Sequence, residues 1–343
     1  MRLRILFISF CLFLILGVSA FGQFATDVAA IEDAFQTFTN DFATTLPALS
    51  TVGLNWSDAY IGGFPHFGAG ATLGVAMIPY TSMTDAAAIF GVSLDELIPP
   101  ELRGYGLPLP MWCVDGRLGG FVLPFDVGFK IGFLPPDVDL PANLTFDFML
   151  VGADFRYGIL EDLGPIPDLS VGIGINWLSG AIGFKDAIPD GTIDITDYGA
   201  NAQLVLDAGD FNYNWQALTV DLKAQVSKNL VFITLSAGFG ATYSLYAEAG
   251  GGIEAAVLID EDSTDGNPPV ALTPAQIAQI QSYYSGLDLS GAQFIITGSA
   301  NGWSFRAFGG LQFDLLIFKI DLNLNYNFIS SSWGGTLNLR AQL

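Results

Sequence analysis

The sequence has one histidine, two cysteines, few charges and, beyond its first twenty residues, no long apolar run. Each shortage excludes something. A single histidine (His66) and a lone cysteine past the N-terminus (Cys113) cannot assemble the usual zinc ligand sets. His66, which follows Pro65 in GGFPHFG, is the only candidate base for a hydrolase, and no serine context marks a nucleophile beside it. It reads as a turn or interface residue. Cys113 has no adjoining histidine or basic cluster, so it reads as a small apolar side chain rather than a reactive thiol. With no internal disulfide available, the fold does not rely on covalent staples. Only 12 Lys and Arg stand against 34 Asp and Glu, which argues against a nucleic-acid partner. The absence of a Leu/Ile/Val block excludes a transmembrane helix.

Two weaker motifs also fall away. GAGATLGV (68–75) and GGGIEAA (250–256) lie in or between strand-like stretches with no helix following, so they are not nucleotide loops. The acidic run DEDSTDG (260–266) brings Asp260, Glu261, Asp262 and Asp265 together, but Gly266 misses the spacing of a calcium-binding EF-hand. It reads as a solvated, disordered loop. No cofactor is expected, and no enzyme.

What is present is apolar and alternating. The chain opens MRLRILFISFCLFLILGVSAFGQ: two arginines, an apolar run, then small residues, the order of a secretory signal peptide over 1–22. Its loss would take Arg2 and Arg4 away and move the net charge from −22 to −24. Hydrophobic residues make up 51% of the chain against 13% charged, a high ratio for an exported protein without a membrane helix. The stretch FKIDLNLNYNF (318–328) places Phe318, Ile320, Leu322, Leu324, Tyr326 and Phe328 on one phase and Lys319, Asp321, Asn323, Asn325 and Asn327 on the other. Such a period of two is a β-strand. Similar stretches recur at 144–150, 170–177, 218–226, 231–247, 303–315 and 335–343. Repeated segments of about ten residues signal an outer-membrane barrel, with the apolar phase on lipid and the polar phase in a lumen.

Charges on the strands fit that division. A charge on the lipid face costs roughly 2–4 kcal/mol at mid-bilayer, so charges must look inward. Asp126 with Lys130, Asp154 with Arg156, Asp221 with Lys223, and Lys319 with Asp321 read as lumen-facing pairs, and Arg306 joins them. Phe232 and Phe308, with Gly238, Gly240 and Tyr246, fall on the same inward phase and make the lumen weakly polar. Trp56, Trp177, Trp215, Trp303 and Trp333 lie near segment ends, where bilayer interfaces hold tryptophan.

Residues 23–50 differ. Ile31, Phe35, Phe38 and Phe42 recur at helical spacing before Pro47, which predicts a helical segment that plugs the lumen from the periplasmic side. Two further helices are predicted over 84–98 and 273–287. The fold expected is therefore all-β: a transmembrane antiparallel barrel of about 12–14 strands over 51–343, with the plug at its N-terminus.

GLNWSDAYIGGFPHFGAGATLGV (53–75), GLPLPMW (106–112) and GGFVLPFDVGFKIGFLP (119–135) resemble a family of uncharacterised bacterial outer-membrane barrels, itself distantly similar to the long-chain fatty-acid outer-membrane transporters. The Asn-Pro-Ala motif of those transporters is absent, and the last strand ends in Leu343 rather than an aromatic residue. The resemblance implies a monomer in the bacterial outer membrane, surrounded by outer-membrane lipids and delivered by the barrel-assembly machinery. With the weakly polar lumen, it implies passive uptake of a fatty-acid-like ligand. A general porin and a non-transporting surface adhesin or structural barrel are the rival readings. A barrel of this kind should need detergent for extraction and run faster on gels unheated than boiled; a mature chain that stays soluble without detergent and shows no such shift would refute the reading.

Overall fold

The computed structural model describes residues 28–343 except 65, 82–83, 86–102, 121, 136–143, 162–165, 189–190, 200, 207–208, 255–256, 265 and 284–292. The signal-peptide region and nearly all of the expected 84–98 helix lie outside the described residues. The alternating stretches form antiparallel strands: β1 (His66–Ile78), β2 (Leu107–Gly119), β3 (Phe125–Leu134), β4 (Leu144–Leu160), β5 (Asp168–Ile188), β8 (Gly209–Asn229), β9 (Ile233–Glu254), β12 (Gln293–Ser299), β13 (Gly302–Leu315), β14 (Phe318–Asn327) and β15 (Ser332–Gln342). Each pairs with its neighbour, β8 pairs with β9, and β15 pairs with β1, so the sheet closes on itself. β12 and β13 both pair along β9 and together form one wall position, giving a ring of ten. Closure leaves no edge, which is what lets a sheet span hydrocarbon. Among the described residues no helix is long and apolar enough to cross a membrane.

The wall has ten positions rather than 12–14 because β5, β8 and β9 run for 21, 21 and 22 residues, each long enough to be read as two segments. On the opposite side β14 and β15 have only 10 and 11 residues, the height of a bilayer. The ring thus has a low side and a tall side. Short connections at 120–124, 161–167, 230–232 and 316–317 share one end with the C-terminus. Long connections at 79–106, 189–208 and 255–292 share the other. Outer-membrane barrels keep short turns in the periplasm and long loops outside, which orients the molecule.

Above the tall side the long loops fold together. β6 (Gly191–Asp194), β7 (Gln203–Leu206), β10 (Val257–Asp260) and β11 (Val270–Ala271) form a separate four-stranded sheet in the order β11-β10-β7-β6. Helix α2 (Pro274–Tyr283) follows, within the expected 273–287 stretch, and Thr273 and Gln276 cap it reciprocally. Asp260, Glu261 and Asp262 of the acidic run are part of this outer cap rather than of a disordered loop, while Asp265 lies outside the described residues. Asp262 accepts from Thr264 and Asn201, and Gln276 donates to Glu261. The Thr264 hydroxyl, and then its amide, hold the Asp262 carboxyl below its usual range.

The exterior is apolar. Phe129, Ile131, Ile173, Leu222, Phe239, Leu322 and Leu324 are exposed, Leu324 by 67%. Trp303, Tyr326, Phe328 and Trp333 gather near the low outer hairpin, with Tyr326 and Trp333 ring centroids 4.9 Å apart. An apolar belt with an aromatic border is the surface of an outer-membrane barrel. Leu322→Arg, mid-strand on the lipid face, should therefore cost about 2–4 kcal/mol of stability in vesicles, and Phe318→Arg, at the inner rim, about 0–1. Equal costs on urea unfolding would contradict the depth assigned to these residues.

Candidate functional site

The lumen holds the chain's own N-terminal segment. Helix α1 (Val28–Ser50) lies, from Phe35 onward, inside the half of the barrel nearer the long loops, not at the periplasmic mouth. It does not stop at Pro47, because packing on all sides outweighs the one backbone hydrogen bond that proline removes. Phe35 and Phe42 are buried and Phe38 is partly buried, whereas the Ile31 side chain lies outside the described set. Phe42 meets Tyr213 at 5.2 Å and Trp215 at 5.4 Å between centroids. Around them Leu46, Leu49, Met111, Phe148, Leu150 and Leu178 complete an apolar core. Trp215 belongs to this core and is no interfacial residue.

At Gly53 and Leu54 the backbone turns through two left-handed residues, φ +79° and +60°. A Cβ on Gly53 would also fall 2.5 Å from Cys113 Sγ, so glycine is required there by conformation and by space. Beyond this point the segment runs on through the inner half, and from Ser50 to Asp58 the wall takes hold of every second carbonyl. Lys130 Nζ donates to Ser50 O and Val52 O, each at 2.6 Å. Arg117 and Lys223 donate to Leu54 O at 2.6 and 3.0 Å. Gln225 donates to Trp56 O at 2.7 Å and Arg156 to Asp58 O at 2.7 Å. In return the Ser57 amide donates to Asp321 at 2.6 Å and the Ala59 amide to Ser227 at 2.9 Å. Buried backbone groups outside a sheet need such partners.

Trp56 is 1% exposed and so is not interfacial either. Its indole nitrogen donates to Asp115 at 2.8 Å, and the Arg340 guanidinium stacks 4.3 Å from its ring. A side chain on Gly68 would strike the same ring, at 2.6 Å. Trp177, Trp303 and Trp333 do point outward.

The charged residues Asp126, Lys130, Asp154, Arg156, Asp221, Lys223, Arg306 and Asp321 are all buried in the lumen, and Lys319 faces it half-buried. Their partners differ from those read along each strand. Asp126 takes Arg117 at 2.7 Å and Arg156 at 2.5 Å; Asp154 takes Arg117 at 2.6 Å and Lys223 at 2.7 Å. Asp221 takes Arg306, Asp321 takes Arg340, and Lys319 takes Asp314. Residues two apart along a strand sit roughly 6.5 Å from each other, whereas cross-strand neighbours sit about 4.5–5.5 Å apart. Glycine extends the reach further. Asp154 on β4 meets Lys223 on β8 over β5, whose inward positions there are Gly172 and Gly174.

Asn323 is buried, Asn325 half-buried, and Phe308 packs inward beneath Arg306 at 5.8 Å. Phe232 does not. It is 63% exposed in the 230–232 turn, before β9 begins, so the alternation of the strand does not reach it. Tyr246 is only half-buried, because a bulge opposite Leu218 and Thr219 shifts the phase, and Ala247 and Ala249 face inward beyond it.

Asp115, Arg117 and Arg340 carry much of the site and were not singled out from sequence. The inward phase of β2 and β15 holds them, and counting that phase through LPLPMWCVDGRLG would have found the first two. His66 is buried with Nε2 3.4 Å from Asp126. No group of three or more described His, Cys, Asp or Glu residues could hold a metal ion.

No family profile matches the chain, and no curated protein does. Solved outer-membrane barrels do. The translocator domain of autotransporter NalP from Neisseria meningitidis is 11% identical with a TM-score of 0.36, over 90% of this chain and 99% of that one. Outer membrane protease OmpT from Escherichia coli is 7% identical with a TM-score of 0.37, over 81% and 97%. A Pseudomonas aeruginosa FadL homologue is 10% identical with a TM-score of 0.26, over 81% and 90%. These values carry over no residue and no activity. Because a protease stands among them, the expectation that the chain is not an enzyme is corrected: its architecture does not exclude catalysis.

The charge network makes two substitutions informative. Asp126→Asn should strip the shared anion from two buried arginines and cost about 3–5 kcal/mol. Lys130→Met should leave Ser50 O without its donor and Val52 O with only the distant Cys113 thiol, and cost about 1–3 kcal/mol. Both are read by urea unfolding in vesicles, and a cost below 1 kcal/mol for Asp126→Asn would mean that water, not protein, satisfies the site.

Proposed function

We propose that the chain is a surface barrel closed at rest, an outer-membrane anchor for the ordered cap that its long loops build outside. One observation carries this: residues 35–59 occupy the lumen through both halves, packed by an apolar core in one and held in the other by Lys, Arg and Gln donors on alternate carbonyls. A general porin needs a water-filled channel, and the charged side chains that would line one here bond to one another and to the plug. The four-stranded cap supports the same reading, since an open pore has no need of it.

Uptake of small apolar or amphipathic molecules such as fatty acids is the second reading, and one feature favours it. The outer half of the lumen is aromatic, with Phe35, Phe38 and Phe42 of α1 against Phe211, Tyr213 and Trp215. An apolar solute could take over contacts of that chemistry if α1 moved, so uptake by this route would be gated rather than passive.

The intact chain in planar bilayers is expected to give no stepwise conductance, and vesicles carrying it should take up a labelled medium-chain fatty acid no faster than empty ones. Steps in conductance would overturn the closed reading. Faster uptake with no conductance would leave gated uptake as the better account.

A further inference from the structure

We propose that the plug is threaded from the cell exterior towards the periplasm, so that the N-terminal end of α1 lies at the outer mouth and is reached from outside the cell. The order of contacts along one strand carries the argument. β8 runs from the long-loop end at Gly209 to the short turn at 230–232. Going down it, Phe211 meets Phe35, Tyr213 meets Phe38 and Phe42, Trp215 meets Phe42, and Thr219 bonds Ser50. Further down, Lys223 bonds Leu54, Gln225 bonds Trp56 and Ser227 bonds Ala59. Plug and strand therefore run parallel from Phe35 to Ala59, and β1 begins at His66 on the short-turn end.

Phe35 already stands level with the outer rim of β8. Val28 lies seven residues further up the helix, about 10 Å at 1.5 Å per residue. Gln36 bonds the carbonyl of Thr297, on the upper part of the tall wall, and Asp33, Thr37 and Asn40 are exposed. The orientation of the barrel follows from its loop lengths, independently of the plug. The inference holds whether or not the barrel conducts. Its consequence is functional: the first turns of α1 belong to the outer surface beside the cap, where a molecule outside the cell can touch the plug without entering the periplasm.

Cysteine labelling on intact cells tests this, in a Cys113→Ala background. Asp33→Cys reports the start of the plug, Ser263→Cys an outer-cap position and Leu230→Cys a periplasmic turn, all three exposed in the structure. Each variant is exposed to a membrane-impermeant maleimide before and after the outer membrane is permeabilised. Asp33→Cys and Ser263→Cys should label equally in both states, and Leu230→Cys only after permeabilisation. Heat-modifiability on gels confirms the barrel in each variant, and Thr37→Cys replaces Asp33→Cys if the latter does not fold. Labelling of the plug cysteine only after permeabilisation, or in neither state although the boiled protein reacts fully, would overturn the proposal.

Discussion

Charge cannot face hydrocarbon, and in the filled lumen of this barrel it does not face open water either. That double constraint organises the molecule. Strand alternation sends the mid-wall charges inward, among them Asp126, Lys130, Asp154, Asp221 and Arg306, and the N-terminal segment then fills the space they enter. A buried charge is tolerated only with a partner at hydrogen-bond distance. The lumen supplies two kinds: charges of opposite sign from neighbouring strands, and carbonyls of the plug. Arg117 uses both at once, donating from Nη1 to Asp126 and from Nη2 to both Asp154 and Leu54 O. Wall and plug are in this sense one polar network, and neither is satisfied without the other.

The two halves of the lumen meet the constraint in different ways. The outer half avoids charge and packs an aromatic and aliphatic core around α1, much as a soluble protein would. The inner half accepts charge and takes up the following stretch of chain by its backbone. The change falls at Gly53 and Leu54, just past the end of the helix. Inward glycines belong to the same arrangement. They make room for plug side chains, as Gly68 does for Trp56, or let charges meet across an intervening strand, as Gly172 and Gly174 do. Glycine on a lumen face thus records close approach by another part of the chain rather than space for a solute.

The uneven height of the wall sets what happens outside. Strands of bilayer height end in a short hairpin at 328–331, while the tall strands continue past the membrane and support the cap. The hydrogen-bonded acids of the cap give its outer face a negative character, and Asn201, Thr264 and Gln276 hold them in place. A molecule arriving from outside would meet this cap and the first turns of α1 together.

Within an unbroken strand the sequence by itself determined which residues share a face, because side chains in a strand leave opposite faces with a period of two whatever lies beyond. FKIDLNLNYNF divides in the structure as its alternation requires, with Leu322 and Leu324 outside and Asp321 and Asn323 inside. It also determined that the stretch around Phe35, Phe38 and Phe42 is helical and needs a partner surface. Only the tertiary structure decided the rest. The number of strands depended on where long segments leave the membrane, which no period records. The partner of each charge depended on register between strands, so Asp154 found Arg117 and Lys223 instead of its neighbour Arg156. Trp56 and Trp215 lie inside because the lumen is occupied, and a bulge near Tyr246 reversed a phase that sequence reads as continuous. Period is a property of one strand; register, closure and occupancy belong to many strands together, and they arise only when the ring closes around its own N-terminal chain.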